Sequence, residues 1–184
     1  MDKNLLTIPS TTTATECYEL WKLASLLQPK SVLVELGTGA GRVTAILASA
    51  VAGKGSILYT VDNYSYEDKY GIYKWNSDVA LENLKKFNLD GHTKFLVGES
   101  TKVAQEFAEK IDFLFVDAGH RYIEVCNDFD AWIPKINPGG IISGHDFDPN
   151  CDDGRNVIKA IFDKLLTNPN KQMVVRERIW WMEK

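Results

Sequence analysis

A regular alternation of short apolar runs with amphipathic segments constrains the fold of this chain more than any other feature. The apolar runs are nearly continuous and too short for helices, so each is predicted as a strand buried on both faces. These runs cover residues 31–36, 56–62, 94–98, 111–117 and 139–146. The intervening segments have helical periodicity and are predicted as helices over residues 40–51, 77–88, 101–110, 122–133 and 155–166. This pattern predicts one α/β domain over residues 1–184, with a mainly parallel sheet and helices on both of its faces.

The two ends of the chain add further elements. Thr13 and Glu16 have the spacing of a capping box, and the apolar residues behind them recur at helical spacing. Residues 13–28 are therefore predicted as a helix that ends before Pro29. The whole segment 1–30 is expected to pack on the core, and residues 171–184 are predicted as a closing hairpin.

Charge and hydropathy narrow the classes of partner. The net charge is −4 and no basic run is present, so nucleic acid is not expected as a partner. The apolar runs are too short for a leader peptide or a membrane span, so we expect no membrane partner and a cytoplasmic location. Cys17, Cys126 and Cys151 lack the spacing of metal ligands and are interpreted as reduced thiols.

Carboxylates follow the predicted strands, at the point where each strand ends. Ligands of parallel α/β sheets bind at the carboxyl ends of the strands, so these residues are expected to face one crevice. Like charges crowded together are unfavourable unless a cationic ligand or hydrogen-bond donors relieve them. The sequence therefore predicts a site for a positively charged ligand, formed by residues 35–39, Asp62, residues 98–100, Asp117 and the pair His145–Asp146.

The first of these strand ends carries a glycine loop, ELGTGAG at residues 35–41. Gly37, Gly39 and Gly41 permit a tight turn and a close approach of backbone to a ligand. The spacing is not that of the dinucleotide-binding G-x-G-x-x-G motif, because Arg42 stands at its last position. Asp62 ends the next strand, where a carboxylate can accept both hydroxyls of a ribose. We expect an adenosine-type ligand without phosphates over the loop; a strand–helix turn without any ligand is the alternative.

Five successive motifs resemble those of the class I S-adenosylmethionine-dependent methyltransferases. They are ELGTGAG, VDN at 61–63, VGES at 97–100, FVDAGHRY at 115–122 and PGGIISGHDF at 138–147. The last two resemble, more narrowly, the small O-methyltransferase-like families that pair a D-x-x-H segment with a G-H-D-[FY] segment. The resemblance implies a Rossmann-like three-layer α/β/α sandwich. Its seven-stranded sheet would have the strand order 3-2-1-4-5-7-6, with strand 7 antiparallel.

The resemblance also implies a set of residues that bind S-adenosylmethionine. The glycine loop would approach the methionine part of this cofactor, and Glu35 beneath the loop would hold its ammonium group directly or through water. Asp62 would bind the ribose, and Ser100 would meet the adenine through its backbone. The complete predicted set is Glu35, Gly37, Thr38, Gly39, Gly41, Asp62, Asn63, Glu99, Ser100 and Asp117.

Catalytic residues are implied by comparison with enzymes of the catechol O-methyltransferase type. In those enzymes a carboxylate after strand four binds magnesium and a basic residue three positions later takes a proton, which corresponds to Asp117 and His120. A lysine is the usual base and an acid–amide pair the usual second ligand pair, so this chain departs from the pattern at His120 and at His145–Asp146. Two mechanisms stay open: Asp117, His145 and Asp146 bind Mg²⁺ or another divalent cation, or His120 or His145 acts alone as the base.

The acceptor is expected to be a small molecule with a hydroxyl group, such as a sugar or a natural product. N-methylation of a small amine and a non-catalytic S-adenosylmethionine-binding module are the alternatives. The tyrosine-rich segment 64–75 is expected to form either a lid or an interface, and a homodimer is compatible with its exposed aromatic surface. Three purely structural interpretations also stand: His120 caps the following helix, Asp146 caps a turn, and Asp152 or Asp153 caps the helix 155–166.

Overall fold

The computed structural model describes residues 1–65, 75–168 and 170–184, and in these residues a seven-stranded sheet lies between two layers of helices. The strands are β1 (Val32–Leu36), β2 (Ile57–Asp62), β3 (Thr93–Val97), β4 (Ile111–Val116), β5 (Ile136–Gly144), β6 (Val174–Arg176) and β7 (Ile179–Glu183). The helices are α1 (Ala14–Ser25), α2 (Arg42–Val51), α3 (Ser77–Lys85), α4 (Ser100–Glu106), α5 (Tyr122–Trp132) and α6 (Asp152–Lys164).

The strand order is 3-2-1-4-5-7-6, as the resemblance implied. β1 pairs in parallel with β2 and β4, β2 pairs in parallel with β3, and β4 pairs in parallel with β5. β7 pairs antiparallel with both β5 and β6. The predicted fold class is therefore confirmed, and the first five strands deliver their carboxyl ends to the same edge of the sheet.

Two hydrophobic clusters cover the two faces of the sheet. On one face, α1, α2 and α3 pack on alternate strand residues such as Leu33, Leu58 and Phe113. On the other face, α4, α5 and α6 pack on the residues that point the opposite way, such as Val34 and Leu114. Because both faces are covered, the central strands are hydrophobic along their whole length, which explains the nearly continuous apolar runs in the sequence.

The N-caps of three helices show which polar residues are used for capping and which are not. The capping box of α1 is present, with Thr13 as N-cap and Glu16 as its partner. α6 begins at Asp152, three residues earlier than expected, and the sulfur of Cys151 accepts from the backbone N–H of Gly154. The prediction that Asp152 or Asp153 caps this helix was therefore wrong. The N-cap of α5 is Arg121, which leaves His120 outside the helix.

Within the described ranges, none of the helices combines the length and the apolar character needed to span a bilayer.

Candidate active site

The glycine loop is held directly against the end of β4. The backbone N–H of Gly37 donates to Val61 at 2.8 Å, and that of Asp117 donates to Leu36 at 2.9 Å. Gly37 has φ +96°, and a Cβ at this position would lie 2.0 Å from the carbonyl oxygen of Asp117. Only glycine allows this approach, which brings the predicted cofactor loop into contact with the first residue of the predicted catalytic motif.

Asp62 fixes the loop from the side of β2. One of its carboxylate oxygens accepts from the backbone N–H groups of Thr38 and Gly39 at 2.9 and 3.0 Å. The other accepts from the backbone N–H of Tyr64 at 2.7 Å. The carboxylate predicted to bind ribose therefore also determines the conformation of the loop that would receive the rest of the ligand.

Glu35 lies fully buried beneath the loop, with an exposed fraction of 0%. Its Oε2 accepts from the hydroxyls of Thr44 and Thr60, each at 2.6 Å. Thr60 is in turn hydrogen-bonded to the hydroxyl of Thr38 in the loop. Glu35 Oε1 has no hydrogen-bond partner among the described residues. Burial raises the pKa of Glu35 to about 8, because the two hydroxyls only partly offset the loss of solvent.

Asn63, predicted beside the ribose, lies next to Glu99 and Ser100, the residues predicted at the adenine. The side-chain amide of Asn63 donates to Glu99 at 2.7 Å and so joins the ends of β2 and β3. The hydroxyl of Ser100 accepts from the indole N–H of Trp132 at 2.8 Å. Because its hydroxyl is engaged by Trp132, Ser100 offers a ligand mainly its backbone at the start of α4.

Asp128 was not identified from the sequence, although it lies beside this end of the site. It is 5% exposed and is one of the few buried carboxyl groups among the described residues. Burial raises the pKa of Asp128 to about 6; a hydrogen bond with Ser100 opposes this increase, and Glu124 and Glu99 add to it. Its position in α5 gave no signal, because an aspartate in an amphipathic helix is normally a solvent-facing residue.

Asp117, His120 and Asp146 form a group of three whose ligand-type atoms all lie within 4.8 Å of one another. His120 Nε2 lies 2.8 Å from Asp146 and 3.7 Å from Asp117. Nε2 makes no hydrogen bond to a described residue, because Asp117 is too distant and Asp146 does not lie in line with the ring N–H. The three side chains are partly exposed, with His120 at 36%, whereas the Nε2 atom of His120 is itself buried.

His145 lies behind this group rather than in it. Its side chain is 2% exposed, and Nδ1 lies 3.2 Å from Asp146 and 3.6 Å from Asp117. Its backbone carbonyl accepts from the indole N–H of Trp180 at 3.2 Å, which fixes the strand end. The ligand set predicted from the sequence contained His145, whereas the group of three in the structure contains His120.

The two imidazoles and the carboxylates balance each other electrostatically. Asp117 and then Asp146 raise the pKa of His120 to about 10. Burial lowers the pKa of His145, but Asp117, Asp146 and Glu16 outweigh this effect and raise it to about 12. The pKa of Asp146 is lowered well below its usual range, because both imidazoles outweigh the effect of burial.

Glu16 is a site residue that the sequence presented only as a helix cap. It is 1% exposed, and its Oε2 lies 3.2 Å from His145 Nε2. Its Oε1 accepts from Arg178 Nε at 3.0 Å, in the turn between β6 and β7. In the same turn, the carboxylate of Glu177 accepts from the Thr13 hydroxyl at 2.8 Å. Arg178 also donates to the backbone carbonyl of Thr11. The N-terminal segment is thereby bound to the C-terminal hairpin beside the site.

Arg42, the residue that breaks the dinucleotide motif, also binds the N-terminal segment. Its guanidinium donates to the carbonyls of Ile8, Thr12 and Leu6 at 2.5, 2.7 and 3.0 Å.

Tyr66, Tyr70 and Tyr73 of the tyrosine-rich segment lie outside the described residues, so the choice between a lid and an interface stays a prediction. The hydroxyl of Tyr64 is buried near the loop, and burial raises its pKa to about 12.

A family model described as a methyltransferase domain matches residues 34–147. The chain belongs to this methyltransferase family. The matched range runs from β1 to the residue after Asp146 and thus contains the glycine loop and the carboxyl ends of the first five strands. Together with the strand order, the match confirms the resemblance to class I methyltransferases.

Solved methyltransferase structures share the fold of this methyltransferase. An O-methyltransferase from Bacillus cereus in complex with SAH is 18% identical, has a TM-score of 0.72, and is matched over 100% of this chain and 92% of that chain. The O-methyltransferase TomG from Streptomyces achromogenes, involved in tomaymycin synthesis and solved with SAM, is 17% identical and has a TM-score of 0.71. The match covers 100% of this chain and 91% of that chain. Cofactor-bound Rv0187 from MTB is 18% identical and has a TM-score of 0.76, and the match covers 99% of this chain and 90% of that chain.

A curated relative extends the similarity to a much longer protein. The uncharacterized protein y4gI of Sinorhizobium fredii is 28% identical over 139 residues, which are 70% of this chain. The chain spans about 14% of the length of this relative.

Proposed function

We propose that this methyltransferase transfers a methyl group from S-adenosylmethionine to a hydroxyl oxygen of a small molecule, with the help of a divalent cation. The observation that carries the proposal is the contact of the glycine loop with Asp117. Because of this contact, the potential metal ligands Asp117, His120 and Asp146 lie beside the loop. S-adenosylmethionine supplies an electrophilic methyl group on a positively charged sulfur. In-line transfer requires the acceptor oxygen within about 3 Å of that methyl group.

The residues around the loop suit S-adenosylmethionine. Its ammonium group would supply the positive charge that the buried carboxylate of Glu35 lacks, since Oε1 is unpartnered among the described residues. Asp62 at the end of β2 would bind the ribose with Asn63 beside it, and Ser100, with Glu99 adjacent, would meet the adenine. The acidic edge of the sheet favours this sulfonium ligand over a dinucleotide with its negatively charged pyrophosphate.

The group of three also suits a divalent cation. Two carboxylates and one imidazole are ligands that Mn²⁺, Fe²⁺, Zn²⁺ or Mg²⁺ accept. His120 Nε2 faces Asp146 at 2.8 Å without an in-line hydrogen bond, which is the arrangement of co-ligands rather than of a hydrogen-bonded pair. We therefore assign Asp117, His120 and Asp146 as ligands. A cation there would act as a Lewis acid that lowers the pKa of the acceptor hydroxyl.

The chain's own residues would then have separate tasks. Asp117, His120 and Asp146 orient the acceptor, and the contact between Gly37 and Asp117 sets its distance from the cofactor loop. His145 is too deeply buried to meet an acceptor, so we assign it to the support of Asp117 and Asp146 rather than to proton abstraction. An imidazole that bridges two carboxylates keeps both in position for the cation.

Ligand binding followed by methyl transfer tests the proposal. S-adenosylhomocysteine is expected to raise the melting temperature, whereas NADH is not. A panel of hydroxylated and aminated small molecules is then incubated with methyl-labelled S-adenosylmethionine before and after chelation, with Mn²⁺ added back. Transfer to a hydroxyl that stops with the chelator and returns with Mn²⁺ supports the proposal. Stabilisation by NADH alone would contradict the enzyme class, and transfer to amines that ignores the chelator would favour N-methylation.

A further inference from the structure

Among the described residues, none supplies a positive charge beside the carboxyl group of Glu35. The side chain is fully buried, one oxygen is held by two threonine hydroxyls, and the other has no partner among the described residues. A carboxylate in such a place is unstable unless a cation approaches it, so the group is expected to stay protonated.

We infer that Glu35 is a neutral carboxylic acid in the free protein and that it releases a proton to solvent when a ligand with an ammonium group binds above the loop. This inference rests on the proposed function, because the ammonium group belongs to the amino-acid end of S-adenosylmethionine or S-adenosylhomocysteine. Glu35 thereby selects for ligands that carry that end.

The charged and titratable groups around Glu35 explain why its carboxyl group ionises only when the ligand binds. Asp117 after β4 and Asp62 at the end of β2 both raise the pKa of Glu35 and so disfavour its ionisation. Tyr64 contributes only a neutral phenol, and the pKa of this phenol is raised. Arg42 at the start of α2 would be the nearest candidate cation on that element, but its guanidinium is bound to three carbonyls of the N-terminal segment.

The consequence is a binding equilibrium that includes one proton. The proton leaves the carboxyl group of Glu35 for solvent, and the ligand's ammonium group stays charged and replaces it as the compensating positive charge. The affinity is therefore greatest above the pKa of free Glu35, which is about 8, and decreases as the pH falls below that value. Between pH 7 and pH 6 the affinity for S-adenosylhomocysteine is expected to decrease about tenfold.

Titration calorimetry with two ligands tests the inference. Binding of S-adenosylhomocysteine and of 5′-methylthioadenosine, which lacks the amino-acid end, is measured at pH 7 in buffers with different enthalpies of ionisation. The wild type is expected to release about one proton with S-adenosylhomocysteine and none with 5′-methylthioadenosine. Glu35→Gln, which mimics the neutral acid, should bind S-adenosylhomocysteine without proton release and with an affinity that is constant from pH 6 to pH 8. Glu106→Gln, at an exposed carboxylate at the end of α4, should retain the release.

The outcomes separate the two proposals. Binding of S-adenosylhomocysteine to the wild type without proton release, or with the same release as 5′-methylthioadenosine, would overturn the role of Glu35 and leave the proposed function standing. If neither compound binds, the proposed function and the inference both fail. Should Glu35→Gln not fold, the comparison of the two ligands on the wild type still decides.

Discussion

Glu16 Oε2 lies 3.2 Å from His145 Nε2, so the first helix of the chain reaches the predicted catalytic residues at the end of β5. The two residues are separated by most of the sequence and are both nearly inaccessible to solvent. Arg178 on the other side of Glu16 completes a row of alternating charges that ends at Asp117 and Asp146. Buried ion pairs of this kind are costly to break, because the remaining partner keeps an uncompensated charge.

Glu16→Gln is expected to reduce the free energy of unfolding by about 3 kcal/mol at neutral pH. Burial alone would raise the pKa of Glu16, but the interactions with His145, the backbone of Thr13 and Arg178 lower it from 4.5 to about 2. A lowered pKa stabilises the folded state above the unfolded value of 4.5, and this contribution is lost as the pH falls towards 2. Denaturant unfolding at pH 7, 5 and 3 should show the difference between wild type and variant shrinking at acid pH.

The control for this experiment is Glu124→Gln. Glu124 pairs with Arg121 at the exposed start of α5, where solvent screens the interaction. Its loss is expected to change the stability by less than about 1 kcal/mol. A difference between wild type and Glu16→Gln that stayed constant from pH 7 to pH 3 would contradict the assigned role of the Glu16 charge.

Gly37→Ala is expected to cost more than about 3 kcal/mol of stability, and Gly53→Ala only about 1–2 kcal/mol. Both glycines have positive φ angles, +96° and +77°, so both alanines suffer the same kind of backbone strain. They differ in space: a Cβ at Gly37 overlaps the carbonyl of Asp117, whereas nothing lies within 4 Å at Gly53. Thermal and denaturant unfolding compare the two variants, and equal losses would show that the loop does not need its close approach to β4.

Asp62→Asn is expected to weaken the binding of S-adenosylhomocysteine by at least about tenfold. The carboxylate accepts three backbone N–H groups, and an amide has to turn its own NH₂ group towards at least one of them. Asp62→Ala should abolish the stabilisation by this ligand altogether. Asp78→Asn, at an exposed position in the first turn of α3, is the control in the same thermal-shift titration. Unchanged binding in Asp62→Asn would remove this residue from the cofactor site.

His120→Ala and Asp146→Asn are each expected to weaken Mn²⁺ binding by at least about tenfold, because each removes one of three ligands. Electron paramagnetic resonance measures the free Mn²⁺ that remains in a titration of each protein. His92→Ala, in the short 3-10 helix Asp90–His92 before β3, should bind as the wild type does. Normal Mn²⁺ binding by His120→Ala together with its loss in folded His145→Ala would restore the ligand set predicted from the sequence.

The strands and the glycine loop could be predicted because local patterns determine them, whereas the strand order was implied by the resemblance. Apolar runs identify buried strands, and the glycines at positions 37, 39 and 41 all have positive φ angles, as the tight turn requires. Parallel pairing then brings Asp62 and Asp117 to one edge of the sheet without further information. The spacing of Thr13 and Glu16 likewise predicted the helix cap correctly.

The choice between His120 and His145 could not be made from spacing. Both residues follow strands at the same edge, and only the tertiary structure shows that His145 is covered by Trp180 and the first helix. Glu16 was interpreted completely by its local role as a cap, although its carboxylate also serves a partner 162 positions away. Asp128 is the same kind of case, since it is buried and its partner Ser100 lies in α4 rather than in its own helix.

The hydrogen bonds between the N-terminal segment and the β6–β7 turn have a consequence for chimeras made from related proteins. Thr13 with Glu177 and Glu16 with Arg178 match polar groups from two segments that lie far apart in the sequence. A chimera that inherits its first thirty or so residues from one parent and its last hairpin from another is expected to unite mismatched charges beside His145. Recombination that keeps both termini from a single ancestor avoids this conflict, so the two ends should evolve as one unit.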